Sequence, residues 1–139
     1  MNFLLDTCTI SEPKQKQPSK KVLEWLDAQD ESKLYLSVLT VGEIKRGATR
    51  LESSRKKVEL ENWLEQLRMR FSRRILPLSE RTFLVWGKMC GEFEKKGILR
   101  PAFDSLLEAT ALEHDMIFVT RNVKNFQQSQ VTVLNPWTD

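Results

Sequence analysis

Residues 3–9 read Phe3-Leu4-Leu5-Asp6-Thr7-Cys8-Thr9. Three apolar residues without alternation suit a short strand buried on both faces. The aspartate that ends the run stands beyond the strand's carboxyl end, where open α/β sheets gather their functional groups. The pattern recurs along the chain. Leu34-Tyr35-Leu36 is a second such run, Ile75-Leu76-Pro77-Leu78 a third, Met116-Ile117-Phe118-Val119 a fourth that ends at Thr120, and Val131-Thr132-Val133-Leu134 a fifth. Pro77 puts the third at an edge or ends it there.

Helical spacing fills the intervals. Pro13 and Pro18 bracket a polar loop, after which Ser19 caps a helix over about Lys20–Ala28 with Val22, Leu23, Trp25 and Leu26 apolar. Asp30–Lys33 reads as a turn. Ser37 caps a helix with Val38, Val41, Ile44 and Ala48 at helical spacing. A basic helix from about Ser54 to Phe71 carries a stripe of Leu60, Trp63, Leu64, Leu67 and Phe71. Ser79 caps a helix with Phe83, Trp86, Cys90 and Phe93 on one face, and Gly97 ends it. Pro101 opens a helix to about Glu113, whose core-facing stripe reads Phe103, Leu106, Leu107, Thr110, Ala111 and His114. Short strands alternating with helices indicate a parallel sheet covered by helices on both sides. With 139 residues, the chain is expected to form one domain over 1–139.

Composition narrows the chemistry. A hydrophobic fraction of 40% and a charged fraction of 29% suit an ordinary globular core. Two cysteines, Cys8 and Cys90, with a lone histidine, His114, exclude a structural zinc site of the cysteine/histidine type and disfavour Ser-His-Asp or Cys-His chemistry. No run approaches ~18 apolar residues and the N-terminus lacks a signal-peptide pattern, so the expectation is a reduced, cytoplasmic protein off the membrane. The net charge of +3 is uneven: Lys45–Arg74 holds ten Lys/Arg against four acids, a balance of +6, and the remainder sums to −3. A basic middle suits a polyanionic partner, and it equally suits a solvated helical face.

Polar groups fall at the strand ends in three places. Asp6 follows the first strand, Ser37 follows the second and leads into the helix carrying Glu43, and Thr120 follows the fourth with Asn122 two residues on. Asp104 sits in the first turn of the helix before the fourth strand, beside its apolar stripe. Carboxylates from separate elements, meeting at one end of a sheet, can hold a hard divalent ion such as Mg²⁺ or Mn²⁺. The ion polarises a phosphodiester and a water on the metal becomes the nucleophile, with no histidine required. Each such aspartate is equally readable as a turn residue or a helix cap.

Four segments add a family resemblance: "LLDTCTISE" up to Glu12, "SVLTVGEIKRG" (Ser37–Gly47), "FDSLLEATALEHD" (Phe103–Asp115) and "FVTRNVKNF" (Phe118–Phe126). In order and spacing they resemble the four blocks of PIN-domain proteins, and in particular VapC-type ribonuclease toxins of the FitB-like branch. The resemblance implies a PIN-like three-layer α/β/α sandwich with a parallel four- or five-stranded sheet. It implies a Mg²⁺-dependent endoribonuclease (Mn²⁺ as the other ion), acting as the toxin of a type II toxin–antitoxin pair and cutting RNA with metal-activated water. A small cognate antitoxin and a homodimer are the implied partners besides RNA. By position Asp6, Glu43 and Asp104 match the family's catalytic acids, with Asp6 and Asp104 as metal ligands. In the fourth block Asn122 and Asn125 stand where an acid is common, which favours one ion over two. Glu108, one turn after Asp104, stands where the family has a small residue; it either adds charge to the site or is a solvent-facing or interface glutamate, the second being the expectation.

Supporting roles fall to Thr7, Thr120 and Asn122, with a helix cap as the other reading of Thr120. Arg46, Arg50, Arg55, Lys56 and Lys57 are RNA-backbone candidates or a solvated face. His114 reads as a helix-end residue, Cys90 as core, and the four tryptophans as core or interface anchors. Glu12 either approaches the pocket or merely precedes Pro13. Two other functions compete. One is a catalytically weak PIN-fold module that binds nucleic acid in a complex with a small partner, in keeping with the amides of the fourth block. The other is a haloacid-dehalogenase-type phosphatase, suggested by "LLDTCT" and set aside because that chemistry needs an acid where Cys8 stands.

Overall fold

The computed structural model describes residues 1–139. Five parallel strands form one sheet: β1 (Phe3–Leu5), β2 (Leu34–Ser37), β3 (Ile75–Leu76), β4 (Ile117–Val119) and β5 (Val133–Leu134), in the order β3-β2-β1-β4-β5. Phe3 pairs with Leu34 on one side and Ile117 on the other, so β1 lies at the centre. The third run is strand only over Ile75–Leu76. Pro77 has no N–H to continue the ladder, and the strand sits at the sheet edge as its proline requires.

Six helices cover the sheet: α1 (Thr7–Ser11), α2 (Lys20–Ala28), α3 (Val38–Arg50), α4 (Arg55–Arg70), α5 (Glu80–Lys95) and α6 (Ala102–Glu113). The strands alternate their side chains between the two faces. Leu5, Leu34, Leu36 and Val119 pack with Ile10 of α1, Ile44 of α3, Leu64 and Leu67 of α4, and Phe71. Leu4 and Phe118 pack on the opposite face with Leu107 and Ala111 of α6, Met116 and Phe126. α5 packs along α6, outside it, where Trp86 Nε1 donates to Ser105 Oγ at 2.9 Å. The molecule is a three-layer α/β/α sandwich on a five-stranded parallel sheet, as the alternation of elements predicts.

Serine caps set the helix starts. The hydroxyls of Ser19, Ser37, Ser54 and Ser79 accept from Val22, Leu39, Lys57 and Thr82 N–H respectively. Gly97, at φ 77°, ends the connection after α5 in a conformation that a Cβ would strain.

Three stripe assignments need correction. Phe83 is 46% and Phe103 47% exposed, and His114 is exposed as the C-cap of α6. The core face of α6 is instead Ser105, Leu107, Glu108, Ala109, Thr110 and Ala111, which leaves Phe103 on the outer rim. α1 is an added element. Its five residues, TCTIS, have no strong helix former, and the turn exists because Asp6 caps it.

Candidate active site

β1 delivers Asp6 to the end of the sheet. Its N–H continues the ladder to Val119 O at 2.9 Å, and its carbonyl accepts from Thr9 and Ile10 N–H to start α1. The carboxylate is held from two sides: Oδ1 accepts from Thr7 N–H at 2.7 Å and Oδ2 from Thr120 Oγ1 at 2.7 Å. The Cys8 thiol lies 3.6 Å from Oδ2. Oδ1, with the Thr7 N–H as its one donor, has a second lone pair left to offer. Thr120 also accepts from Asn122 N–H at 3.1 Å, as its reading as a cap for the turn after β4 expects, and its bond to Asp6 gives it a second contact that the sequence reading did not include.

α3 brings Glu43 alongside. Thr7 Oγ1 lies 3.1 Å from Glu43 Oε1, to which it donates, and 3.2 Å from Thr40 Oγ1. The first turn of α6 supplies Asp104, whose Oδ2 accepts from Asn125 Nδ2 at 3.2 Å. Asp6, Glu43 and Asp104 thus come from three elements far apart in sequence and act on one another through their charges. Burial pushes the Asp6 carboxyl above its ordinary 3.8; the hydrogen bonds from Thr120, Thr7 and Cys8 oppose the rise and the charge of Asp104 adds to it. Glu43 is likewise raised from 4.5, first by burial and then by the charges of Asp6 and Asp104, against the Thr7 hydrogen bond and Arg46. Burial and the Asp6 charge also raise the Cys8 thiol, which keeps it in its unreactive protonated form.

No three carboxylate, thiol or imidazole groups close on a single point. Acidic oxygens that repel one another with little cationic compensation nonetheless fit a hard divalent ion, which takes one or two carboxylates and keeps several waters. The donor set of Asp6 and Asp104 suits such an ion better than a soft metal.

Beside this pocket runs a groove of about 1550 Å³. Thr7 and Cys8 belong to both. Lys14, Arg55, Lys56 and Arg121 line the groove together with Trp63 and Trp137. Lys14 Nζ lies 6.0 Å from the Trp63 ring centre and the Arg121 guanidinium 5.4 Å from that of Trp137. Of the basic residues named from sequence, Arg55 and Lys56 reach the groove, Arg46 acts on Glu43, Arg50 is exposed on α3, and Lys57 is half-buried and off the groove lining. Asn122 contributes its backbone N–H, while its side chain is exposed. Glu12 lines the groove and accepts from Ser19 N–H at 2.8 Å.

Glu108 overturns the expectation of a solvent-facing residue, and it does not serve the carboxylate pocket either. It is fully buried, Oε1 stands 2.7 Å from Arg100 Nη1, and Oε2 accepts from Ser129 Oγ at 2.6 Å. A basic partner in the loop before α6 takes up its charge. Thr40, Lys14, Arg121 and Arg100 are further residues of this region that the sequence patterns do not single out. Thr40, one turn before Glu43 on α3, shows a spacing that marks it; Lys14 ends a 3-10 turn of three residues and Arg100 and Arg121 lie outside the helices and strands, where periodicity says nothing.

A family model described as PIN domain matches residues 3–129. "Toxin FitB" of Neisseria gonorrhoeae is 36% identical over 138 residues, covering 99% of each chain. "VapC ribonuclease Y4jK" of Sinorhizobium fredii is 29% identical over 136 residues, covering 97% of each. Among solved structures, FitAcB from Neisseria gonorrhoeae superposes with a TM-score of 0.93 at 36% identity, covering 99% of each chain.

Proposed function

This chain belongs to the PIN-domain family, and on that premise we propose that it is a divalent-metal-dependent endoribonuclease, the toxin of a type II toxin–antitoxin pair, acting in the cytoplasm as one nuclease unit over 1–139. The observation that carries this reading is that Asp6, Glu43 and Asp104, from three separate elements, lie near enough to act on one another through their charges, next to a groove lined with cations. The names Toxin FitB and VapC ribonuclease, borne by relatives aligned over almost the whole chain, support it.

Asp6 and Asp104 would hold one Mg²⁺ or Mn²⁺, with Glu43 close by. When bound, such an ion supplies positive charge against a phosphodiester and lowers the pKa of water. The chain's own residues do the rest. Thr120 and the Thr7 N–H fix the Asp6 carboxylate in one rotamer, so no reorganisation is needed at the moment of reaction. Glu43, oriented by Thr7 Oγ1 and raised in proton affinity, accepts the proton of the attacking water at Oε1. Arg55, Lys56 and Arg121 hold the RNA backbone along the groove, with Arg46 and Arg50 on the neighbouring face of α3 and Lys57 off the groove.

Two partners complete the proposal. A small antitoxin covers the pocket. A second copy of the chain docks on the rim of α5 and α6, where Phe83, Leu84, Leu99 and Phe103 are exposed. The absence of a three-ligand cluster and the amides Asn122 and Asn125 favour the second reading, a catalytically weak module that binds nucleic acid with its partner.

Cleavage of single-stranded RNA by the purified chain, with and without Mg²⁺ or Mn²⁺, decides between them. Asp6→Asn and Asp104→Asn keep the side-chain shape and each remove a unit of charge. Each is expected to lower the rate by about 10²–10³ or more while the circular dichroism stays native. Full nuclease activity in either variant would sink the assignment of Asp6 and Asp104 to the metal, and no cleavage by the wild type with either ion would favour the binding module.

A further inference from the structure

The segment between β4 and β5 holds a 3-10 turn over Val123–Phe126 and carries Asn125, whose side chain donates to Asp104 Oδ2. That amide is the one side chain that donates to Asp104. The N-terminus of α6 has no side-chain cap, because its N-cap is Pro101. What holds the segment is a buried charge pair. Arg100 and Glu108 have side chains 7% and 0% exposed, with Nη1 and Oε1 2.7 Å apart. The Arg100 guanidinium lies 5.2 Å from the Phe93 ring centre and 5.3 Å from that of Phe126. Phe126 in turn meets Phe118 edge-on at 5.0 Å. Ser129 Oγ donates to Glu108 Oε2 at 2.6 Å and accepts from Val131 N–H at 2.9 Å. One pair therefore grips Phe93 of α5, α6 itself, and the segment at two points, residues 126 and 129.

The pair is poorly built for stability alone. Arg100 Nη2 is buried without an acceptor, and Nη1 and Oε1 meet as charges without hydrogen-bond alignment. Buried pairs of that kind are often matched or exceeded by apolar residues of the same volume. Its placement, one turn along α6 from Asp104, does something an apolar pair cannot. It supplies a directional acceptor for Ser129 and a flat cation against Phe126, so residues 122–131 have one seat.

We infer that Arg100 and Glu108 are positioning residues: they clamp residues 122–131 against α6 so that Asn125 holds the Asp104 carboxylate in a single orientation. The clamp stands on the geometry of these side chains alone; its consequence for an ion rests on the function proposed above. Hydrogen exchange and metal titration separate the two. In the double variant Arg100→Met/Glu108→Leu, backbone amides 122–131 are expected to lose protection while β1, β2 and α4 keep theirs, and the melting temperature should stay level or rise. The Mg²⁺ concentration giving half of the maximal thermal shift should increase about 10–100-fold, the range for groups that orient a metal's ligands. Asn125→Ala should reproduce that increase without the loss of protection. A purely structural pair would change the melt and leave both other readouts alone.

Wild-type exchange over 122–131 in the folded double variant would overturn the clamp. Altered exchange with an unchanged Mg²⁺ midpoint would overturn its role toward Asp104. Should the wild type show no thermal shift with Mg²⁺ and no RNA cleavage, the proposed function fails, while the exchange result still decides the clamp. If Met and Leu do not restore a folded protein, Ser129→Ala removes the hydrogen bonds to Glu108 and from Val131 N–H and leaves the Arg100–Glu108 pair in place, and it carries the same exchange readout.

Discussion

Asp6 caps α1 and also faces Asp104, so a structural duty and a costly charge fall on one side chain. Its folded pKa lies above the unfolded value. Between the two, the native state binds more protons than the unfolded one, so stability falls as pH rises through that window and stays lowered above it. Metal-free Asp6→Asn is therefore expected to melt above the wild type at neutral pH. The amide oxygen still accepts from Thr7 N–H and the amide nitrogen can donate to Thr120 Oγ1. The advantage should vanish as pH falls toward about 4; melts in chelator across pH check it, and a gap that does not change with pH counts against it. Asp6, Glu43 and Asp104 were legible because each stands at a strand end or helix start within a recognisable block. Glu108 was not. Its meaning lies in Arg100 and Ser129, eight residues before it and 21 after it, and no periodicity links such positions.

α4 begins with Arg55, Lys56 and Lys57 and has no acid in its first turn. Cations at the positive end of a helix work against its dipole, so the chain gives up local stability to place charge there. Replacing Arg55 and Lys56 with glutamine should raise the melting temperature slightly and raise the KM for RNA, with the turnover rate unchanged. Each phosphate of a single strand that is no longer neutralised should flatten the salt slope by about 0.7. Lys57→Gln, off the groove lining, should leave the slope alone. A variant with Arg55 and Lys56 replaced that binds RNA normally but changes particle mass or escapes inhibition would make this surface a protein interface. Elements whose start is set by a serine hydroxyl could be read from sequence to within a residue, as Ser19, Ser37, Ser54 and Ser79 show. α1 could not, since its turn follows from the Asp6 cap rather than from any propensity of Thr7–Ser11.

For the molecule as a whole, a cation that binds only the folded state adds RT ln(1 + [L]/Kd), about 2.7 kcal/mol at one hundred times Kd. Mg²⁺ or Mn²⁺ should therefore raise the melting temperature of the wild type and do so much less in Asp6→Asn. Equal shifts in both would place the ion elsewhere. Leu84, 68% exposed on α5, tests the second copy. Leu84→Glu should halve the particle mass in solution if the α5–α6 rim joins two chains, and an unchanged mass would move the interface to another face. No helix is long and apolar enough to cross a membrane. The parallel sheet was legible from strands alternating with helices. The order β3-β2-β1-β4-β5 was not, because which strand flanks β1 depends on packing across the whole chain.

The central position of β1 also has a consequence in time. Asp6 leaves the ribosome early, but Thr120, which orients its carboxylate, lies 114 residues later. At about 5–20 residues per second, translation separates the two by roughly 6–23 s. Through that interval β1 has no β4 to pair with, Asp104 has no Asn125, and the acids have no common pocket. The site is therefore completed only when β4 and Asn125 have joined β1 and α6.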